Sequence, residues 1–402
     1  MFINFPSSFL WGAATSAHQV EGNNFDNDWW EWEQKRGLES SGLACNHYNL
    51  FAEDFSLAKS LQHNAHRLSI EWSRLEPKEG EFNEEEINHY LQVFKTLKEN
   101  DLKIMLTLHH FTLPLWLAKK GGFLNNKITF YFIRFIELVV KKFSDYIDFW
   151  ITINEPNVFA SHGYLVGDWP PGKKSFWQYK KVIRRLAHCH QQAYKKIHTL
   201  LSEAQVGIAQ NYIYFDADKS PFNKIACRMA KKFWNGDFYQ RTRGYHDFLG
   251  INYYFYYKIQ AQIKPPFYKI QKDISAPQNK MISDLGWEIN PEGLYKILLE
   301  LKKFNLPIYI TENGLADQKD RYRARSITQH IEMIKRAIAQ DIDIYGYFHW
   351  SLIDNFEWLH GFKPRFGLIA IDYPTQERVI RSSARVYANI ITNLKCKNQK
   401  LK

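Results

Sequence analysis

The chain has 402 residues, of which 45% are hydrophobic and 16% aromatic, so it can bury a sizeable core and is not an intrinsically disordered protein. The formal net charge of +11 would suit nucleic acid or an anionic surface. Lys and Arg are spread along the sequence, however, with no basic helix or RNA-binding motif, which argues against nucleic acid as a partner.

Cysteine spacing and hydropathy bear on the compartment. The four cysteines lie far apart with no CxxC spacing, which argues against a zinc site or a disulfide scaffold and fits a reducing compartment. Residues 1–10 lack the basic start and long apolar run of a signal peptide, and no run approaches the roughly 18 apolar residues of a membrane span. We therefore expect a cytoplasmic protein with no membrane partner, no metal and no cofactor.

Apolar runs and amphipathic segments alternate in the N-terminal half of the chain. The predicted strands cover residues 9–15, 65–70, 102–108 and 149–153, and the predicted helices cover residues 48–61, 84–100 and 128–143. Residues 23–32 are rich in Asn, Asp and Trp, and this polarity predicts a loop.

The same alternation continues to the C-terminus. Strands are predicted at 205–209, 248–254, 307–311 and 344–350, and helices at 175–201, 291–304, 325–339 and 375–393. Residues 216–247 and 258–286 show the least periodicity, which predicts long loops or short helices above the ends of the strands.

Eight strands with helices between most of them indicate a parallel α/β sheet. Eight units favour closure into a single (β/α)8 TIM barrel with loop insertions at the C-terminal face, where such barrels carry their active sites. An open doubly wound sheet is the alternative, but no G-x-G-x-x-G or G-x-x-x-x-G-K-[ST] motif supports a nucleotide-binding version of it. No linker or repeat divides the chain, so residues 1–402 are predicted to form one domain with a basic, frayed tail at 394–402.

Two of the predicted strands end in a Glu beside an Asn. The two residue pairs are Asn154-Glu155 and Glu312-Asn313. A Glu at the end of a buried strand costs free energy to hold there unless it is paired or functional. Because parallel strands end at the same mouth, we expect the two carboxyls to meet. Retaining glycoside hydrolysis needs such a pair about 5–5.5 Å apart, one protonated and one ionised.

Further polar and aromatic residues fall at or after strand ends. An arginine near one carboxyl would lower its pKa and keep it a nucleophile, while the other, with fewer cationic neighbours, would hold its proton. Amides and imidazole would bind sugar hydroxyls, and Trp rings would stack on sugar faces. Singly, a strand-end Glu is more often a salt-bridge partner and a Trp more often a core residue; their co-occurrence favours a site. The set is Gln19, Arg67, His110, Asn252, Tyr254, Trp350, Glu357 and Trp358.

Six motifs in order give the chain a specific resemblance. From Phe5 to about Tyr387 it resembles glycoside hydrolase family 1, whose β-glucosidases, β-galactosidases and related enzymes fold as (β/α)8 barrels. The matching stretches are Phe9–Gly22, Leu108–Pro114, Thr152–Pro156, Asp247–Tyr254, Tyr309–Gly314 and Gly346–Trp358, with Arg365–Leu368 after them.

The resemblance implies a function and a role for each residue. It implies an exo-acting, retaining β-glycosidase, foremost a β-glucosidase with β-galactosidase or β-fucosidase activity as alternatives, whose partner is a β-glycoside. Glu155 would be the acid/base and Glu312 the nucleophile, reacting through a covalent glycosyl-enzyme. Arg67 and Tyr254 would orient Glu312. The implied substrate-binding residues are Gln19, His110, Asn154, Asn252, Tyr254, Trp350, Glu357, Trp358 and Phe366.

Departures from the family pattern bear on alternatives. Members acting on 6-phosphorylated sugars typically carry Ser or Ala at position 357, and a carboxylate there would repel phosphate, which argues against that substrate class. Thioglucosidases replace the acid/base with Gln and non-catalytic relatives lose one Glu, whereas Glu155 and Glu312 are both present. Asn157 stands where many members have an aromatic residue facing the leaving group, and Phe111 stands where many have Trp.

Overall fold

A computed structural model of the chain describes residues 5–262, 268–271 and 280–399. Eight parallel strands close into a barrel in which consecutive strands are neighbours and the last pairs with the first, so the predicted (β/α)8 TIM barrel is confirmed. The strands are β1 (Leu10–Ala14), β2 (Ala65–Ser69), β3 (Lys103–Thr107), β4 (Phe149–Asn154), β5 (Val206–Asn211), β6 (Phe248–Asn252), β7 (Ile308–Gly314) and β8 (Ile344–Trp350).

Both faces of the barrel strands are covered, which explains their nearly continuous apolar sequences. The inner face fills the barrel with a cluster that includes Ala65 of β2, and the outer face packs against the helices. Side chains alternate along a strand, so His66 packs outward against Phe55, whereas Arg67 points with Ala65 into the barrel. A charged side chain inside the barrel is the feature that matters most for the site.

Amphipathic helices surround the barrel. The helix Ile128–Phe143 shows the cause, because its apolar residues recur at helical spacing along one buried face. Asn83 caps the helix Glu84–Glu99 by accepting from the backbone N–H groups of Glu85 and Glu86. The remaining α-helices are Ala17–Val20, Asp28–Arg36, His47–Ser60, Trp72–Leu75, Leu115–Lys119, Pro156–Ala160, Phe176–Leu200, Pro221–Lys231, Asp237–Thr242, Pro291–Leu301, Arg323–Ile338 and Ser382–Gln399.

Shorter elements complete the structure around the barrel. There are π-helical turns at Ser161–Val166 and Lys232–Gly236, and 3-10 turns at Gly122–Leu124, Lys302–Phe304 and Trp358–His360. Tyr214–Asp216, Tyr256–Ala261 and Tyr268–Gln271 form a small sheet, and Ile369–Asp372 pairs with Glu377–Ile380 in a hairpin.

The weakly periodic regions contain more structure than their sequences indicate. Residues 216–247 contain two helices and a π-helical turn, in line with the predicted short helices, but the strand at Tyr256–Ala261 was not predicted. Residues 263–267 and 272–279 of the second region lie outside the described residues.

Two local predictions are wrong. The stretch 23–32, predicted as a loop, contains the start of the helix Asp28–Arg36, because Asn27 caps it by accepting from the Trp30 N–H. The last helix begins at Ser382, not at residue 375, because Gln376 adopts a left-handed φ of 62° that ends any helix and turns the hairpin.

The C-terminal helix includes residues 394–399 of the basic tail, and residues 400–402 lie outside the described part of the chain. Within the described ranges, none of the helices combines the length and the apolar character needed to cross a membrane.

The close approach of β7 to β8 generates a stability prediction. A Cβ at Gly314 would fall on the carbonyl oxygen of Trp350, so Gly314→Ala must push the two strands apart. We expect it to lower the free energy of unfolding by about 2 kcal/mol, the scale of overpacking. Gly236→Ala is the matched control, because its φ is −100° and the nearest atom to the new Cβ is 3.9 Å away. Equal denaturant midpoints for the two variants would contradict this prediction.

Candidate active site

The predicted site residues converge at the C-terminal mouth of the barrel, around a cavity of about 550 Å³. Two of the twelve, Arg67 and Asn252, are buried behind the cavity wall, with 1% and 0% of their surface exposed. The other ten line the cavity: Gln19, His110, Asn154, Glu155, Tyr254, Glu312, Trp350, Glu357, Trp358 and Phe366.

Arg67 is the centre of the hydrogen-bond network behind the cavity. Its Nη1 donates to Glu312 Oε1 over 2.6 Å and to the Thr311 carbonyl over 3.1 Å, and its Nη2 donates to Asn154 Oδ1 over 2.6 Å. Its Nε reaches Thr107 Oγ1 at 3.3 Å. Hydrogen bonds between charged groups are short and strong, so β2 fixes the carboxylate of β7 and the amide of β4 together.

Asn252 links the two carboxyls from β6. Its Nδ2 donates to Glu155 Oε1 over 2.9 Å and to Asn154 Oδ1 over 3.2 Å, and its Oδ1 accepts from Thr311 Oγ1 over 2.7 Å. The Tyr254 hydroxyl donates to Glu312 Oε2 over 2.5 Å. Asn252 thus supports the site from behind, whereas Tyr254 engages Glu312 from the cavity side.

Glu155 follows β4 and precedes the helix Pro156–Ala160. Its φ of 41° is left-handed, a conformation that costs free energy for a residue with a side chain and that clusters at functional sites. A hydrogen bond from its N–H to the Ala209 carbonyl, 2.6 Å long, holds this backbone. Its Oε1 accepts from Asn211 Nδ2 over 3.0 Å as well as from Asn252.

Burial and neighbouring groups act differently on the two carboxyls. Burial raises the pKa of Glu155 to about 8, and the charge of Glu312 adds to this rise. Burial also raises the pKa of Glu312, but the Arg67 charge and the hydrogen bonds from Tyr254 and Arg67 oppose it. Arg67 therefore acts in the predicted direction, although burial outweighs it. Glu155 is the carboxyl better suited to hold a proton.

The polar end of the cavity is built from β1, β3 and β8. Gln19 Nε2 donates to Asn355 Oδ1 and to the Phe356 carbonyl, both over 2.9 Å. Trp350 Nε1 donates to Glu357 Oε1 over 3.1 Å, and burial raises the pKa of Glu357 to about 8. These contacts hold the Gln19 and Glu357 side chains against the cavity.

His110 is a neutral group in this end of the cavity. Burial, with the Arg67 charge nearby, holds its pKa well below the usual range. Because Asn154 Oδ1 faces Arg67, Asn154 Nδ2 must donate to His110 Nε2, at 3.1 Å, and the proton of His110 is assigned to Nδ1. That Nδ1 is buried and has no hydrogen-bond partner among the described residues.

Aromatic rings form the other walls. The Trp350 and Trp358 rings lie nearly parallel to His110, with centroids 6.0 and 6.4 Å away. Phe366 lies edge-on to Tyr254 at 6.2 Å. Phe111 contacts Trp358 at 5.3 Å and also has a left-handed φ, of 75°.

Asn211 and Trp234 were missed by the sequence analysis. Asn211 contacts Glu155 directly, and Trp234 Nε1 donates to Asn211 Oδ1 over 3.1 Å. The predicted strand ended at residue 209, whereas β5 continues to Asn211, so the strand-end rule would have found this residue with a longer strand. The remaining lining residues that were not predicted are Phe111, Val158, Ser161, His162, Asp168, Trp169, Ile213, Phe215, Phe233, Phe255, Tyr257, Leu285, Trp287, Leu359 and His360.

Asn157 does not face a leaving group. Its Nδ2 donates to the carbonyls of Asn211 and Trp234, over 3.0 and 3.4 Å, and the next residue, Val158, lines the cavity instead. The helix that begins at Pro156 places residue 157 behind the wall, so Asn157 does not stand in for the aromatic residue that many family members have at this position.

Sequence comparison identifies relatives over nearly the whole chain. The family described as "Glycosyl hydrolase family 1" matches residues 1–243 and 228–396. A Thermotoga maritima protein named beta-glucosidase A is 31% identical over 440 residues, covering 97% of this chain and 98% of its own length. A Pyrococcus woesei protein named beta-galactosidase is 30% identical, covering 97% of both chains.

Solved structures agree with these matches. The beta-glycosidase from Pyrococcus horikoshii superimposes with a TM-score of 0.91 at 37% identity, covering 98% of this chain and 96% of its own. The beta-glucosidase from Thermotoga maritima in complex with glucoimidazole gives a TM-score of 0.89 at 30% identity, covering 97% and 99%. The chain therefore belongs to glycosyl hydrolase family 1.

Proposed function

We propose that this protein is a retaining, exo-acting β-glycosidase that removes terminal, non-reducing β-D-glycosyl residues, with β-glucosidase as its main activity. The observation that carries the proposal is the pair Glu155 and Glu312. Both are buried in one network, but the Glu155 side chain accepts from the amides of Asn211 and Asn252, whereas Glu312 accepts from the guanidinium of Arg67. A retaining glycosidase needs this contrast, one carboxyl protonated and one ionised.

The reaction proceeds in two displacements. Glu312 attacks the anomeric carbon while Glu155 gives its proton to the leaving oxygen, so the glycosidic bond breaks as an ester bond to Glu312 forms. Glu155, now ionised, then takes a proton from water, whose oxygen attacks the anomeric carbon and releases Glu312. Two inversions give net retention, and each carboxyl returns to its starting state.

The remaining residues bind and orient the sugar. Asn154, already fixed by Arg67, holds the 2-hydroxyl, where a hydrogen bond strengthens in the transition state. His110, whose ring lines the cavity, contacts another hydroxyl. The rest of the binding set consists of Gln19, Glu357 and Trp358 for the other hydroxyls, Trp350 as the floor, and Tyr254 and Phe366 at the side of the ring.

Glucose is the favoured sugar because of the relatives. The Thermotoga maritima relative is named a beta-glucosidase, and its structure has been solved in complex with glucoimidazole and with deoxynojirimycin. The Pyrococcus woesei relative is named a beta-galactosidase. Because these sugars differ at one hydroxyl, β-galactosidase or β-fucosidase activity is the secondary expectation.

A 6-phosphorylated sugar is disfavoured by charge. Among the described residues, no Lys or Arg lines the cavity to pair with a phosphate, and Glu357 at its polar end repels a phosphate whenever it is ionised. Lys363, the nearest cation in sequence, is exposed and does not line the cavity. We therefore propose that the substrate is unphosphorylated.

Removing the nucleophile tests the proposal. Glu312→Ala should lower hydrolysis of 4-nitrophenyl β-D-glucoside by at least about 10³-fold. Added azide should restore turnover by attacking from the vacated face, and should yield the α-glucosyl azide. The control Glu332→Ala, at an exposed helix position outside the cavity, should keep wild-type rates. Full activity in Glu312→Ala, or a β-azide product, would refute the assignment.

The proton on Glu155 should make the stability of the folded protein depend on pH. Its pKa of about 8 in the folded state lies above its ordinary value of 4.5, so the folded state binds the proton more tightly. In the wild-type protein, the contribution of this proton to the free energy of unfolding is fully present below pH 4.5. The contribution is lost as the pH rises to about 8. Glu155→Gln has no such loss.

We therefore expect the Tm of Glu155→Gln, relative to wild type, to rise by about 2–4 °C between pH 5 and pH 8. Calorimetry of both proteins at the two pH values measures this difference. A difference that stays constant, or that falls with pH, would show that Glu155 is not the carboxyl that holds the proton.

A further inference from the structure

The half of the cavity that lies beyond the carboxyls is walled by apolar side chains. Ten cavity-lining residues come from the stretch 211–287, and nine of them are hydrophobic or aromatic. The rings contact one another. The centroid of the Phe255 ring lies 5.0 Å from that of Tyr257 and 4.8 Å from that of Trp287. Ile213 and Phe215 belong to a separate buried apolar cluster, so this wall has its own hydrophobic support.

The wall lies on the side of the acid. Glu155 accepts from Asn211, and Asn211 accepts in turn from the indole N–H of Trp234, which lines the wall. Since Glu155 is proposed to protonate the leaving oxygen, the group attached to that oxygen departs toward this wall. The wall therefore faces the aglycone.

The wall offers few hydrogen bonds to a second sugar. Asn211 is the tenth residue of the stretch, and its Nδ2 and Oδ1 are already engaged by Glu155 and Trp234. The Tyr254 hydroxyl is engaged by Glu312, so the Tyr257 hydroxyl and the Trp287 indole N–H are the two polar side-chain groups that the described residues of this wall leave for the several hydroxyls of a sugar. A sugar hydroxyl placed against this wall beyond those two groups would lose its hydrogen bonds to water and gain none from the protein. Each such hydroxyl would lower the affinity by about tenfold. Methylene and aromatic groups gain by the same transfer.

A polar rim stands elsewhere on the cavity. His162 Nδ1 lies 2.9 Å from Asp168 Oδ1, and the His162 ring stacks on Trp169 at 4.7 Å. Ser161 and His360 also line this rim. If this polar rim bound the leaving group, a second sugar would be preferred. If the apolar wall binds it, an apolar leaving group is preferred.

We propose that the site selects β-glycosides with extended apolar aglycones, such as alkyl chains, over oligosaccharides. This inference rests on the proposed glycosidase function and names its substrate class. The wall of Ile213, Phe215, Phe233, Phe255, Tyr257 and Leu285 binds the chain, and the carboxyl pair cleaves the bond to the sugar.

Initial rates on a homologous series test the proposal. The substrates are butyl, hexyl and octyl β-D-glucosides below their micelle concentrations, together with cellobiose and cellotriose. We expect kcat/KM to rise about two- to fourfold per methylene from butyl to octyl, since these leaving groups have nearly equal reactivity and differ in buried area. Octyl glucoside should exceed cellobiose by about tenfold or more. A flat series, or faster cleavage of cellobiose, would overturn the inference.

4-Nitrophenyl β-D-glucoside distinguishes failure of the aglycone preference from failure of the glycosidase function. If it is hydrolysed and the alkyl series is flat, the aglycone inference fails while the glycosidase function stands. If no β-glycoside of this panel is hydrolysed, the proposed function fails, and the inference that rests on it fails too.

Matched variants place the effect on the wall. Leu285→Asn keeps a similar size but adds a polar group to the wall, and should cut the octyl-to-butyl ratio of kcat/KM by about threefold or more. Leu43→Asn makes the same change at a residue that is 43% exposed and does not line the cavity, and should keep the ratio. Ile213→Thr, with Ile225→Thr as its exposed control, repeats the test at a second wall position. Unchanged ratios in both wall variants would contradict the proposal.

Discussion

The buried ion pair between Arg67 and Glu312 is the interaction on which the rest of the site depends. A guanidinium inside a barrel costs several kcal/mol unless it is paired and fully hydrogen-bonded. Small residues of the inner cluster, among them Ala14, Ala65 and Ala209, leave room for it. It bonds to side chains of β3, β4 and β7. Because one rigid cation contacts three strands, the positions of Glu312 and Asn154 are set by the barrel itself and not by its loops.

Burial alone does not distinguish the carboxyls, since it raises the pKa of Glu155, Glu312 and Glu357 alike. Their partners distinguish them: amides for Glu155, a guanidinium and a phenol for Glu312, and an indole for Glu357. Three carboxyls at one mouth also repel one another. The site therefore lowers the free energy of unfolding, while it holds a proton on one carboxyl and a negative charge on another. Such a compromise between stability and activity is common in enzymes.

The fold and the polar centre of the site could be predicted because both follow from short-range sequence patterns. Each barrel strand is an apolar run, and the residue that ends it must lie at the mouth. Where the structure depends on contacts distant in sequence, prediction stopped short. Asn211 lies two residues beyond the predicted end of its strand, Trp234 comes from a region without periodicity, and Asn157 turns behind the wall on a short helix. That Asn252 reaches both carboxyls through the network without lining the cavity was visible only in three dimensions.

The central claim is that Glu312 is the ionised nucleophile of the pair. A 2-deoxy-2-fluoro-β-glucosyl fluoride tests it directly, because the 2-fluorine slows both displacements while the good leaving group still allows the first, so the covalent intermediate accumulates. Mass spectrometry of the intact protein and of its proteolytic peptides then locates the sugar. We expect one sugar per chain, on the peptide that contains Glu312. A label on Glu155 or Glu357, or no label on a protein that still hydrolyses 4-nitrophenyl β-D-glucoside, would contradict it.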